Sequence, residues 1–251
     1  MRPVLATPPA TSPAASPRPA LVVLAALAAL ATLALGLVLL PGSADAGART
    51  TVVLGKSNDP PDPSCPENTQ MDPCQAVGSV TGFQLRTDQE TLPYRVPFGR
   101  GRIVAWSISL SQPTPGQRNF FNTLFGPPPE ARIGVLKRVP KSSPPRYRLL
   151  RQSSIRVLSA FLGKTVRFRL GRPLPVRRGN IVALTVPTWV PAFAAGIDHR
   201  NAWRASREKG ECAGQVNQRQ GRPHQVVGSR RNYGCRYEGS RLLYTATVVQ
   251  G

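Results

Sequence analysis

A period of two dominates this chain. From Val77 almost to the end, short runs rich in β-branched and aromatic residues alternate apolar and polar positions, and Gly or Pro closes each run. Proline lacks the backbone donor that helix interiors and central strands need, so 27 prolines leave little room for long helices. The runs predict strands over Gly47–Leu54, Val77–Leu85, Arg102–Leu110, Arg132–Val139, Arg146–Leu150, Ser154–Leu158, Thr165–Leu170, Ile181–Val186 and Arg241–Val249. Alternation puts Val104, Trp106, Ile108 and Leu110 on one face of the third run, and Val166, Phe168 and Leu170 inward on the seventh. Ile181–Val186 is apolar throughout and reads as a central strand buried on both faces. Short strands between tight turns point to a sandwich or a barrel.

One stretch keeps a different period. Gln117–Phe125 places Phe120, Phe121, Leu124 and Phe125 at helical spacing and stops at Gly126-Pro127. It is expected as a short inserted helix whose aromatic face covers one end of the β-core.

The N-terminus addresses the chain to the outside. Arg2 and Arg18 precede the uncharged apolar run Leu21–Leu40, which is followed by Pro41-Gly42 and the small residues Ser43-Ala44-Asp45-Ala46. Basic region, apolar core, breaker and an A-x-A arrangement make a secretory signal, with cleavage expected after Ala46. The run is also about as long as the ~20 residues that cross a bilayer, so an uncleaved anchor is the alternative. In both cases Arg2 and Arg18 stay inside and the body is exported, secreted or tethered by residues 21–40. The domain plan is therefore 1–46 as signal or anchor and 47–251 as one domain.

Export changes the meaning of the four cysteines. Cys65, Cys74, Cys212 and Cys235 all lie beyond the export segment, and an even count in an oxidising compartment reads as disulfides. Local pairing, Cys65–Cys74 and Cys212–Cys235, is expected because each pair brackets a polar, turn-rich loop. Each closure would contribute about 2.5–3.5 kcal/mol. The long gap within the first pair does not suit the short spacing of zinc sites.

Charge is the main functional signal. From Gly47 onward the chain carries 31 basic and 11 acidic residues, and the bias is uneven: net −3 up to Glu90, net +23 from Thr91. Such a field favours polyanions. The candidate contacts are Arg167 and Arg169 on one strand face, Arg177-Arg178 at a turn and Arg230-Arg231 in a late loop; guanidinium forks suit carboxylates and phosphates. A second candidate surface is aromatic. Trp189, Phe193 and Trp203 fall outside clean alternation, so each either fills the core or stands in a loop where its ring could stack on a sugar.

Catalytic signals are sparse. The two histidines are His199 and His224, no nucleophile elbow is present, and past Thr91 the acids are only Glu130, Asp198, Glu208, Glu211 and Glu238. Asp198-His199 with a distant serine is the one hydrolase arrangement worth weighing. Asp59, Asp62, Glu67 and Asp72 could offer oxygens to calcium but lack the EF-hand spacing, so no catalytic residue, metal or cofactor is assigned.

In Arg172–Trp189, the segment Pro175-Val176-Arg177-Arg178-Gly179-Asn180 forms a turn that feeds an apolar strand. It resembles the late strands of jelly-roll, galactose-binding-like modules, and the strand order resembles exported β-sandwich proteins of Gram-positive bacteria. The resemblance implies a sandwich and an extracellular binding role. Asn180 stands where such modules often carry Asp, which removes a negative charge from any calcium site. The expectation is thus an all-β chain: one antiparallel β-sandwich of jelly-roll type with one short inserted helix, preceded by a hydrophobic export helix. Its expected partner is a polyanion or polysaccharide of the cell envelope; nucleic acid is disfavoured by export. An extracellular hydrolase and a purely structural surface protein are the rivals.

Overall fold

The computed structural model describes residues 50–64, 74–212 and 224–251. The export segment, its Ala46 cleavage point and Cys65, Glu67 and Asp72 lie outside these residues. The described chain is mostly β, its sheets are antiparallel, and it has one α-helix.

The larger sheet is built from β2 (Val77–Arg86), β4 (Glu130–Arg138), β5 (Arg146–Gln152), β8 (Ile181–Val190), β10 (Ala202–Ala205), β11 (Arg230–Asn232) and β12 (Cys235–Glu238), with β6 (Arg156–Val157) added on β4. Its order is β11-β5-β4-β8-β2-β10-β12. The second sheet runs β1-β14-β3-β7, from β1 (Thr51–Leu54), β3 (Arg100–Ser109), β7 (Thr165–Arg177) and β14 (Tyr244–Gln250). A two-stranded sheet pairs β9 (Phe193–Ala195) with β13 (Ser240–Leu242). One apolar cluster draws on both large sheets: Ile103, Trp106, Ile108 and Val248 from one, Phe83, Ile133, Leu149 and Leu184 from the other. β8 is central, flanked by β4 and β2, and its first six residues are all buried, as an uninterrupted apolar run requires.

Register shifts occur in several strand pairs, and two of them rephase the burial pattern. In β3 the pairing with β14 shifts between Ile103 and Ala105, which sit opposite the consecutive Val248 and Thr247. This one extra residue on β3 turns the strand over, so Ile103 is buried and Val104 is not, whereas Trp106, Ile108 and Leu110 keep the expected face. In β8 the shift against β2 falls between Gly78 and Val80, opposite Pro187-Thr188. A bulge is where a central strand tolerates a proline, so β8 continues past Val186 to Val190.

That continuation overturns the loop alternative for the aromatic trio and leaves core filling. Trp189 lies in β8, Phe193 in β9 and Trp203 in β10, each less than a tenth exposed. None stands in a loop. The helix α1 (Pro115–Phe125) forms as expected, opened by a Thr114–Gln117 capping box. Only part of its aromatic face turns inward: Phe121 packs on Trp189 at 5.0 Å, and Asn122 Oδ1 accepts the Trp189 indole N–H at 2.9 Å, while Phe120 remains 46% exposed.

Of the expected bridges, Cys212–Cys235 is formed. Cys65–Cys74 includes a residue outside those described.

Candidate functional site

The site grows out of a turn between the sheets. β7 ends at Arg177 in one sheet, and β8 begins at Ile181 in the other. Three residues make the crossing. Gly179 adopts φ +80°, a left-handed conformation that glycine takes without strain. Asn180 donates its backbone N–H to the Arg177 carbonyl at 3.0 Å, and its Oδ1 accepts the Arg177 backbone N–H at 2.9 Å. The Arg178 and Gly179 amides bond to the carbonyls of Gly99 and Val96. The backbone of the Arg177-Arg178 pair is therefore fixed from both sides.

Strand pairing brings further cations to this turn. Arg177 sits directly opposite Arg100 across β7 and β3, and Arg102 is opposite Pro175. Lys137 near the end of β4 and Arg151 near the end of β5 face them from the larger sheet. Together they line a cavity of about 740 Å³ with Leu150, Val176 and Asn180. Six of its lining residues are cationic and none is acidic.

A second cavity of about 680 Å³ lies next along the same two strands, lined by Gln152, Ser153, Arg156, Leu170, Arg172 and Leu174 among others. This second cavity shares no lining residue with the first and adds two cations, Arg156 and Arg172. The two cavities, together the groove, carry eight cations. The Arg156 guanidinium lies 5.3 Å from the Phe168 ring centroid, which fixes its stem. Directly facing like charges such as Arg100 and Arg177 oppose folding, and a dense cationic concavity draws anions. Among the described residues the ion pairs are Arg86–Glu238, Arg236–Glu238 and Arg200–Asp198, and no groove residue takes part in them.

The expected arginines are divided by the fold. Arg177 and Arg178 enter the groove. Arg167 and Arg169 are exposed on β7 but outside its lining, with Arg167 donating to Thr247 Oγ1 at 3.4 Å. Arg230 lies opposite Arg148, which in turn lies opposite Lys137, forming a basic row across β11, β5 and β4. Arg231 lies opposite Tyr147 and is half-buried. Sequence reasoning missed Arg100, Lys137, Arg151, Arg156 and Arg172. Arg102 is missed as well, because its pairing with the end of β7 cannot be read from the sequence.

The aromatic trio does not converge. Phe193 and Trp203 meet edge-to-face at 5.9 Å, and Trp203 stacks on Tyr237 at 4.5 Å. Trp189 belongs to the separate helix-side cluster. Buried rings present no face to a sugar.

The Asp198 carboxylate is engaged by Arg200, which donates from Nε at 2.9 Å, from Nη2 at 2.7 Å and from its backbone N–H at 2.7 Å. These bonds hold the carboxyl down to about 2. His224 is half-buried, and burial, aided by the nearby Arg132 charge, lowers its pKa. Among the described residues no cluster of three or more His, Cys, Asp or Glu side chains could hold a metal ion.

Fold and site together define an antiparallel, mostly-β protein with two cation-lined cavities against β5 and β7. Comparison of the chain with protein-family models, curated proteins and solved structures gives no match.

Proposed function

We propose that this chain is an exported β-sandwich of jelly-roll type that holds a linear polyanion of the cell surface in the β5–β7 groove, without covalent chemistry. One observation carries the reading: eight cationic side chains line two cavities set against neighbouring residues of β5 and β7, with no acidic side chain among them. Export is supported by the Arg-flanked apolar run ending at Pro41-Gly42 and by the Cys212–Cys235 bridge. The sandwich reading is supported by the apolar cluster shared between the two large sheets. With the tryptophans buried, guanidinium forks rather than ring stacking supply recognition, which favours phosphate- or carboxylate-bearing polymers over neutral sugars.

The test is retention of the full chain on immobilised polyphosphate against a plain cation exchanger of equal charge density. Stronger retention on polyphosphate, lost when Arg177 and Arg178 become Gln, supports the groove. Elution from both columns at the same salt, by wild type and variant alike, would reduce the charge to a solubility feature.

A further inference from the structure

A second concavity lies apart from the groove and shares no lining residue with it. It has a volume of about 610 Å³ and lies beside β1, β3 and β14. That size falls within the roughly 300–1,000 Å³ typical of small-molecule sites. Its wall includes Val53, Pro60, Leu110 and Leu243, so most of a ligand's surface would meet carbon.

The buried charged residue of the wall is Arg241, only 5% exposed; the exposed Lys164 and the hydroxyl residues Ser107 and Thr165 line it as well. A guanidinium carries five N–H donors. Here Nη2 donates to the Gly55 carbonyl at a long 3.3 Å. Arg241 has no ion pair among the described residues. Its other guanidinium nitrogens have no hydrogen-bond partner among the described residues and are not sealed from solvent, and Arg241 lines the cavity. Holding a cation out of water without a counter-charge costs several kcal/mol, and a chain that keeps one at the wall of an apolar cleft has a built anion anchor. The exposed Lys56 also lines this space, and the exposed Asp62 is its one acid.

We infer that this cleft binds a small amphipathic anion, an apolar body carrying a single oxyanion head, with the head on the Arg241 guanidinium and the body against Val53, Leu110 and Leu243. The site is independent of the polymer groove, and its occupant is a discrete molecule.

The probe is 8-anilinonaphthalene-1-sulfonate, titrated into the full chain and read by fluorescence, followed by competition with octanoate and with octan-1-ol. Saturable binding is expected, displaced by octanoate and not by octanol at equal concentration. Arg241→Met keeps the apolar stem and should weaken the probe about tenfold or more, the value of a charge-assisted contact. Val53→Glu, at a position on β1 that is 39% exposed, adds a repelling carboxylate at the mouth without disturbing the core and should weaken binding in the same direction. Arg177→Gln with Arg178→Gln should leave the titration unchanged, which separates this site from the groove. Wild-type titration without saturation, equal displacement by octanol, or wild-type affinity in both the Arg241 and Val53 variants would overturn the assignment.

Discussion

Replacing Arg177 and Arg178 together with Gln tests the groove by counting its charges. A cationic site that neutralises a linear polyanion releases condensed counterions, so the logarithm of affinity falls linearly with the logarithm of salt. For a single strand the slope is about −0.7 per neutralised charge. The turn cavity offers six cations, so a tagged oligothymidylate, used as a polyanion of known charge spacing, should give a slope of about −4. Removing two of the six should bring it to about −3. The control is Arg167→Gln with Arg169→Gln, on the same strand and outside the lining, which changes net charge equally. Fluorescence anisotropy across a salt series reads both slopes. Equal losses of slope in the two double variants would mean that a diffuse field binds the polymer, and the reasoning from cavity lining would be wrong.

Three further outcomes follow from buried features. Changing Cys212 and Cys235 together to Ser opens a link between residues 23 apart and should cost about 3 kcal/mol in urea unfolding; a loss under about 1 kcal/mol would show that the closure constrains little. Gln225 is fully buried, its Nε2 donates to the carbonyls of Tyr147 and Ser229, and its Oε1 accepts from Tyr233. Gln225→Leu orphans those groups and should destabilise by about 3 kcal/mol, on the order of 1 per group, whereas an unchanged melting temperature would contradict this accounting. His224 is neutral-favouring in the fold, so the unfolded chain binds its proton first: stability should be complete above the ordinary histidine value near 6.5 and decline as pH falls below it. His224→Gln should flatten the urea midpoint between about pH 7 and 5.5, and an unaltered profile in that variant would assign the decline to other groups.

Most strands were readable because alternation is a local property. Thr165–Leu170 shows this well, with Phe168 packed inward on Trp106 and Arg167 and Arg169 facing out. Reading failed where a bulge reset the phase. Val104 was expected inside and Ile103 is there instead. Pro187 appeared to end β8, and the bulge beneath it carried the strand on to bury Trp189. The short strands β10, β11 and β12 were missed because three or four residues hold too little periodicity. The site was half legible: Arg177-Arg178 stood out as a turn pair, but Arg100, Lys137 and Arg151 reach them only through pairing between distant segments. A linear pattern does not encode those distances.

The position of β7 has one more consequence. It is the outermost described strand of its sheet, and the flank away from β3 offers bare peptide groups to any passing extended chain. Pro173 and Pro175 delete two of the donors such a chain would need, and Arg169, Arg172 and Arg177 repel a second copy of the same strand. On the proposed function, Arg172 and Arg177 would serve an anionic polymer and edge protection with the same stretch of sequence.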